Sequence, residues 1–92
     1  MSINASRNDA EGRYEIRLDG DRVGIADFYE RGDLIVLPHT ETVPAFRGRG
    51  LAGRLIGFAL DDIRAAGKKV SPVCPFVADY IRQNPQYSDL VA

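Results

Sequence analysis

At Gly50 the hydrophobic period of the chain changes, and that switch restricts the folds open to it. Upstream, apolar and polar residues alternate. RYEIRLDG sets Tyr14, Ile16 and Leu18 on one face and then meets Asp19-Gly20, a hairpin signal. DRVGIADFYERGD carries Val23, Ile25 and the pair Phe28-Tyr29 as a second strand and turns at Arg31-Gly32-Asp33. LIVLPHTETV reads as a third strand, and strands joined by turns this tight pair as an antiparallel meander. Downstream, Leu51, Leu55, Phe58, Ala59 and Ile63 recur at helical spacing opposite Arg54, Asp61, Asp62 and Arg64, and Gly67 terminates the helix.

KKVSPV supplies a fourth, short strand that pairs in parallel through a right-handed crossover. Pro75 opens a last helix through Phe76, Val77, Tyr80 and Ile81, which Asn84-Pro85 ends. The predicted order is β-β-β-α-β-α, an α+β fold with a three-stranded antiparallel meander plus one parallel strand. Pro38, inside the third strand, cannot donate a ladder hydrogen bond, so it predicts an edge or a bulge. The polar start MSINASRNDAEG is expected to fray, leaving residues 1–12 outside the packed part of a single domain of 92 residues. Phe28, Tyr29 and Tyr87 are assigned to packing.

Composition narrows the function. Twelve basic and 13 acidic residues nearly cancel at −1, so no global field points to nucleic acid or a membrane. No apolar run approaches the ~20 residues of a membrane span, and the start lacks the apolar core of a signal peptide, so a cytoplasmic protein is expected. Cys74 is the only cysteine and His39 the only histidine, which excludes an intrachain disulfide and leaves too short a ligand list for a metal centre.

RGRGLAG has the Gly48, Gly50 and Gly53 spacing of a dinucleotide loop. That fold needs a repeated βαβ array and an acidic residue about 20 positions on, where Lys68, Lys69 and Val70 stand instead. As an RNA patch the segment lacks repetition and stacking aromatics. A tight strand-to-helix turn accounts for one or two glycines, but Gly48, Gly50, Gly53 and Gly57 share the junction with Arg47, Arg49 and Arg54. A diphosphate site uses all of them: glycines expose backbone N–H groups, the helix start is electropositive, and arginines add charge.

VPAFRGRGLAGRLIGFAL resembles the acyl-CoA-binding motif of the GNAT N-acetyltransferase superfamily, Arg/Gln-x-x-Gly-x-Gly/Ala, with Arg47, Gly50 and Ala52 in the fixed positions. HTETVPAFRGRGLAGRL together with PVCPFVADYIRQNPQY is similar to its small single-domain branch of N-acetyltransferase domain-containing proteins, over roughly residues 13 to 91. The resemblance implies acetyl-CoA held where two parallel strands splay. Carried over by position, Arg47, Gly48, Arg49, Gly50, Leu51, Ala52 and Gly53 would contact the pyrophosphate, and the backbone of Val43 the pantetheine arm. Leu51 and Leu55 remain core. Larger members have helices between the first two strands that shape the acceptor pocket, whereas only Asp19-Gly20-Asp21 joins them here, so the acceptor amine does not transfer from the family.

Acetylating an amine requires a neutral nucleophile, a stabilised oxyanion and a proton for the departing thiolate. An amine with pKa ~10.4 is protonated at neutral pH, and the scarcity of its free base amounts to about 4–5 kcal/mol. His39 and Glu41, two apart on a strand, share a face if it is regular, and either is a candidate base; their plainer reading is a structural histidine and a solvated glutamate. The oxyanion falls to a backbone N–H near Pro38. Cys74 precedes Pro75 at a helix start, where the dipole lowers a thiol pKa, as a covalent acceptor or a proton-exchanging neighbour of the CoA sulfur; its plainer reading is a small buried hydrophobe. Tyr80 matches in position the tyrosine that many superfamily members use to protonate the thiolate, and alternatively packs with Phe76. The function expected is an acetyl-CoA-dependent N-acetyltransferase acting on an unidentified amine without a metal, with a catalytically silent CoA or acyl-CoA-binding sensor or adaptor as the alternative.

Overall fold

A computed structural model describes residues 2–92. Consecutive strands β1 (Ile3–Asn8), β2 (Arg13–Leu18), β3 (Asp21–Arg31) and β4 (Leu34–Thr42) pair as an antiparallel meander. Helix α1 (Leu51–Ala65) crosses one face of the sheet and returns the chain as β5 (Lys69–Ser71), parallel to β4. Helix α2 (Pro75–Gln83) and a 3-10 segment, Pro85–Leu90, follow, and Val91 bridges Val70 so that the C-terminus lies along β5. The α+β class and the mixed sheet are as expected, with one strand more.

That strand is β1, and among the described residues it corrects the expectation that the start of the chain frays, Met1 lying outside them. Ile3, Ala5 and Arg7 stand opposite Leu18, Ile16 and Tyr14 and so face the helices. Arg7 occupies a position where the alternation calls for an apolar residue. Its guanidinium lies 4.7 Å from the Phe28 ring and 5.9 Å from that of Tyr14, and bridges to Asp62 at 3.1 Å and Glu30 at 3.2 Å. The arginine stem packs as a hydrophobe while its head is paired, which hides the strand from a reading of hydropathy alone. The first two strands are therefore joined by residues 9–12, and Asp19-Gly20 joins the second and third. Asp19 at φ +50° and Gly20 at φ +90° form the left-handed pair of a two-residue hairpin turn.

Pro38 sits at a bulge, one of the two alternatives expected. Asp27 pairs with His39 and Tyr29 with Val36, so Phe28 faces both Leu37 and Pro38. The extra residue inverts the alternation. Before it, buried Ile35 and Leu37 face the helices. Beyond it, Thr40 and Thr42, opposite Ala26 and Gly24, take that side, while His39 and Glu41 turn to the other.

The core lies between the sheet and α1, whose buried stripe is Leu51, Leu55, Ile56, Ala59, Leu60 and Ile63. Phe58 leaves the expected stripe: it stands at the rim, 36 % exposed, edge-on to Tyr14 at 6.1 Å. Tyr29 is exposed on the open face rather than packed. Helix α2 approaches α1 over glycine, since a Cβ on Gly57 would stand 2.9 Å from the Tyr80 hydroxyl.

The buried charge of the core region is Glu15, 3 % exposed on the sheet face turned away from the helices. Arg13 donates to it at 2.8 Å, Arg17 at 3.0 Å and Asn8 at 3.2 Å. The Arg13 bond, helped by Asn8, outweighs the opposing effect of burial and holds the carboxyl below its ordinary range. A depressed folded-state pKa contributes stability above the unfolded value of about 4.3, lost as pH falls through the folded one. Glu15→Gln is expected to cost about 1–3 kcal/mol at pH 7. Urea denaturation at pH 7 and pH 3 checks this: the gap between the two proteins should narrow in acid, and an equal gap would exclude the ionised carboxylate as its source.

Candidate functional site

The connection from β4 to α1 makes one 3-10 turn at Pro44–Phe46 and then runs through Gly48 at φ +79° and Gly50 at φ +74°. Gly50 is the N-cap of α1 in a left-handed conformation, with no side-chain cap and no acidic residue in the first turn. The first helical hydrogen bond is from Arg54 N–H to Gly50 at 3.2 Å, so the N–H groups of Leu51, Ala52 and Gly53 point out of the helix without helical carbonyls. A Cβ on Gly48 or Gly50 would meet nothing within 4 Å, and both glycines border the same opening as Leu51, Ala52 and Gly53. Arg49 lies over the Phe46 ring at 5.2 Å, and Arg47 borders the same opening. An uncapped, acid-free helix start with two arginines beside it is an anion cradle.

The cradle opens into a gap in the sheet. β5 pairs with β4 only from Leu34 to Val36, and one further bond, from Cys74 N–H to the Leu37 carbonyl at 3.0 Å, closes the pairing. Beyond that point the two segments part. Val43 donates its N–H to Val23 at 2.8 Å, so beyond the bulge the ladder directs His39, Glu41 and Val43 toward β3 and the peptide groups of Thr40 and Thr42 toward the gap. A cleft of about 580 Å³ runs from Arg47, Gly48 and the first turn of α1 to Thr40 and His39, with Phe46 and Phe76 on its walls.

Of the residues singled out from sequence, Arg47, Gly48, Gly50, Leu51, Ala52, Gly53, His39 and Glu41 are brought together along this cleft. His39 Nε2 stands 3.5 Å from Glu41 Oε2, both exposed by more than half. Val43 needs correction: its N–H is committed to Val23 and its carbonyl accepts from Phe46 at 2.8 Å, so the available strand edge is that of Thr40 and Thr42. Tyr80 also moves. Its ring lies against Gly53 and Gly57 and 6.1 Å from Tyr87, off the cleft surface. Burial, then the nearby Asp61 carboxylate, pushes its hydroxyl pKa up. Tyr80 is packed, against α1 and Tyr87.

Cys74 is 7 % exposed and does not line the cleft, but its neighbour Thr40 does. Its Sγ is 3.5 Å from Thr40 Oγ1. Burial pushes the thiol pKa up, yet hydrogen bonds from the Thr40 hydroxyl and from the N–H groups of Val77, Phe76 and Thr40 together bring it below the ordinary thiol value. Sequence reasoning missed Thr40, Thr42 and Phe76. The signal for the threonines was present in Pro38, because a bulge there reverses which side chains and peptide groups face the helices. Among the described residues, no group of three or more potential metal ligands occurs, and no helix is long and apolar enough to cross a membrane.

Comparison with known proteins places this geometry. The profile of the GCN5-related N-acetyl-transferase family matches residues 13–90. The chain is 31 % identical to Protein NATD1 of Xenopus tropicalis over 86 residues, 91 % of this chain and 79 % of that one. It is 33 % identical to Protein NATD1 of Mus musculus over 75 residues, 79 % and 68 % of the two chains. In fold it resembles a GCN5-like protein of Staphylococcus aureus solved by NMR, with a TM-score of 0.73 and 15 % identity over 97 % of this chain and 87 % of that one. It also resembles the ribosomal-protein-S18-alanine N-acetyltransferase of Escherichia coli, with a TM-score of 0.65 and 13 % identity over 85 % and 53 %. With its uncapped helix start opening between splayed strands, the chain belongs to the GCN5-related N-acetyltransferase family.

Proposed function

We propose that the protein transfers the acetyl group of acetyl-CoA to an amine. The observation that carries this reading is the bare Gly48–Gly50 loop and open first turn of α1 at the head of the β4–β5 gap. The N–H groups of Leu51, Ala52 and Gly53, with Arg47 and Arg49, suit the pyrophosphate. The peptide groups of Thr42 and Thr40 suit the amides of the pantetheine arm, which extends the sheet as a strand would. The thioester then lies toward the end of the cleft formed by His39 and Thr40.

The chemistry follows from that arrangement. The acceptor nitrogen surrenders a proton to Glu41 or His39 and attacks the thioester carbonyl carbon. An N–C bond forms, the C–S bond breaks with its electron pair on the CoA sulfur, and the nitrogen sheds its second proton to the other member of the His39–Glu41 pair or to solvent, leaving a neutral amide. The CoA thiolate needs a proton, which the Thr40 hydroxyl, on the cleft surface and 3.5 Å from the buried Cys74 thiol, is placed to relay from it. The buried thiol leaves little access for direct attack, so transfer within a ternary complex is favoured over an acyl-cysteine.

Calorimetry with acetyl-CoA tests the reading. Arg47→Ala should raise Kd about 10–100-fold through lost charge-assisted hydrogen bonds. No heat at ligand concentrations near ~1 mM would reject any CoA function. Binding without CoA release across a panel of amines would instead leave a silent acyl-CoA module.

A further inference from the structure

The sheet face turned away from the helices carries a second cavity, of about 330 Å³. Its walls are Arg22, Ile25, Glu41, Val43, Pro44 and Arg47, and it shares Glu41, Thr42 and Arg47 with the cofactor cleft. The two hollows meet at Glu41, one of the candidate bases. We propose that this second cavity is the acceptor site and that it takes a small amine bearing a carboxylate on the same skeleton, an amino-acid-like zwitterion. The proposal rests on the transferase reading above.

Charge and packing specify that ligand. The negative group of the cavity, Glu41, lies at the seam with the cofactor cleft, where an ammonium must arrive to be deprotonated. The positive groups are Arg22 and Arg47. Arg22 is little used by the fold: its one ion pair among the described residues runs from Nη1 to Glu15 at 3.7 Å, and Glu15 is already satisfied by Arg13, Arg17 and Asn8 at 2.8–3.2 Å. The rest of its planar donor fork is available, and such a fork matches a carboxylate through two parallel bonds. Ile25, Val43 and Pro44 offer an apolar surface for the methylene or side-chain carbons between the two charges. A polyamine would bring a second ammonium toward arginine, and an amidated amine would leave Arg22 without its anion. Among the described residues, α1 and α2 pack on the other face of the sheet, so neither covers the cavity. Arg22 makes no bond to the reacting atoms; it is a specificity residue.

The test compares glycine, β-alanine and γ-aminobutyrate, each beside its amide, by CoA release at saturating acetyl-CoA. At least one acid should exceed its amide by about tenfold or more in kcat/KM, mostly through KM. Arg22→Gln should bring that ratio near one, and Arg22→Lys should hold an intermediate value; Glu15 keeps Arg13 and Arg17 in both, and the amide NMR spectrum checks the fold. A ratio near one for all three pairs in the wild type, or one that survives Arg22→Gln, overturns the proposal. If no amine is acetylated, the transferase reading has failed, and the site is judged by binding alone. CoA-loaded protein titrated with the same acids should then show amide shifts at Gly24, Ile25 and Val43 that the amides and Arg22→Gln do not produce. The lack of such acid-specific shifts overturns it.

Discussion

Glu41→Gln should lower kcat/KM for acetyl transfer by about 10²–10⁴-fold near neutral pH, the range a positioned general base supplies. The substitution keeps the size of the side chain and removes its basicity. Glu41 belongs to both hollows, and its carboxylate stands 3.5 Å from His39 Nε2 on the face to which the Pro38 bulge turns them. Two groups that close act as a unit, one taking the proton and the other orienting it, so their losses should not add. His39→Ala is expected to reduce the rate as well, and the double variant should cost little more than the worse single one. Steady-state CoA release with each protein, beside acetyl-CoA calorimetry, separates this from a binding defect. Losses that multiply would show two independent roles. A loss below about threefold in both singles would show that the proton leaves through solvent, since a positioned base contributes far more.

The fold was readable where one physical signal spoke alone. The alternation through Tyr14, Ile16 and Leu18, the Asp19-Gly20 turn, and Pro75 at the first turn of α2 each gave the right element. β1 escaped because Arg7 takes a core-facing position, and apart from Asp9 the groups that make it tolerable there, Asp62, Glu30 and the rings of Phe28 and Tyr14, are distant in sequence. The glycine-lined entry to α1 was equally readable, since Gly48 and Gly50 act through local backbone geometry. The strand side was not. Whether Val43 or Thr42 offers its N–H to the gap depends on ladder parity, which the bulge opposite Phe28 and the Val43–Val23 bond set together. Tyr80 was ambiguous for a related reason. Its role turns on whether α2 approaches α1 closely, which Gly53 and Gly57 permit, and their spacing in the sequence serves a phosphate loop equally well.

Ile56→Ala should give the largest loss of stability, about 2–5 kcal/mol, from lost burial and the cavity left behind. Ile56 is fully buried on the one helix that packs across the sheet, midway between the anion cradle and the C-terminal end of α1. For a domain of this size each kcal/mol lowers Tm by roughly 4–8 °C, so a fall of at least about 10 °C is expected in a thermal melt. Phe58→Ala is the informative comparison. Phe58 has the larger side chain and fits the helical stripe as read from sequence, yet it is 36 % exposed at the rim. Its removal should cost about 1 kcal/mol, chiefly the edge contact with Tyr14 and partial burial. If the two variants melt together, the rotation of α1 about its axis is wrong. In that case Leu51, on the same buried stripe as Ile56, would no longer hold the first turn against the sheet beside β4. A stability measurement far from the loop thus tests the orientation on which the anion cradle depends.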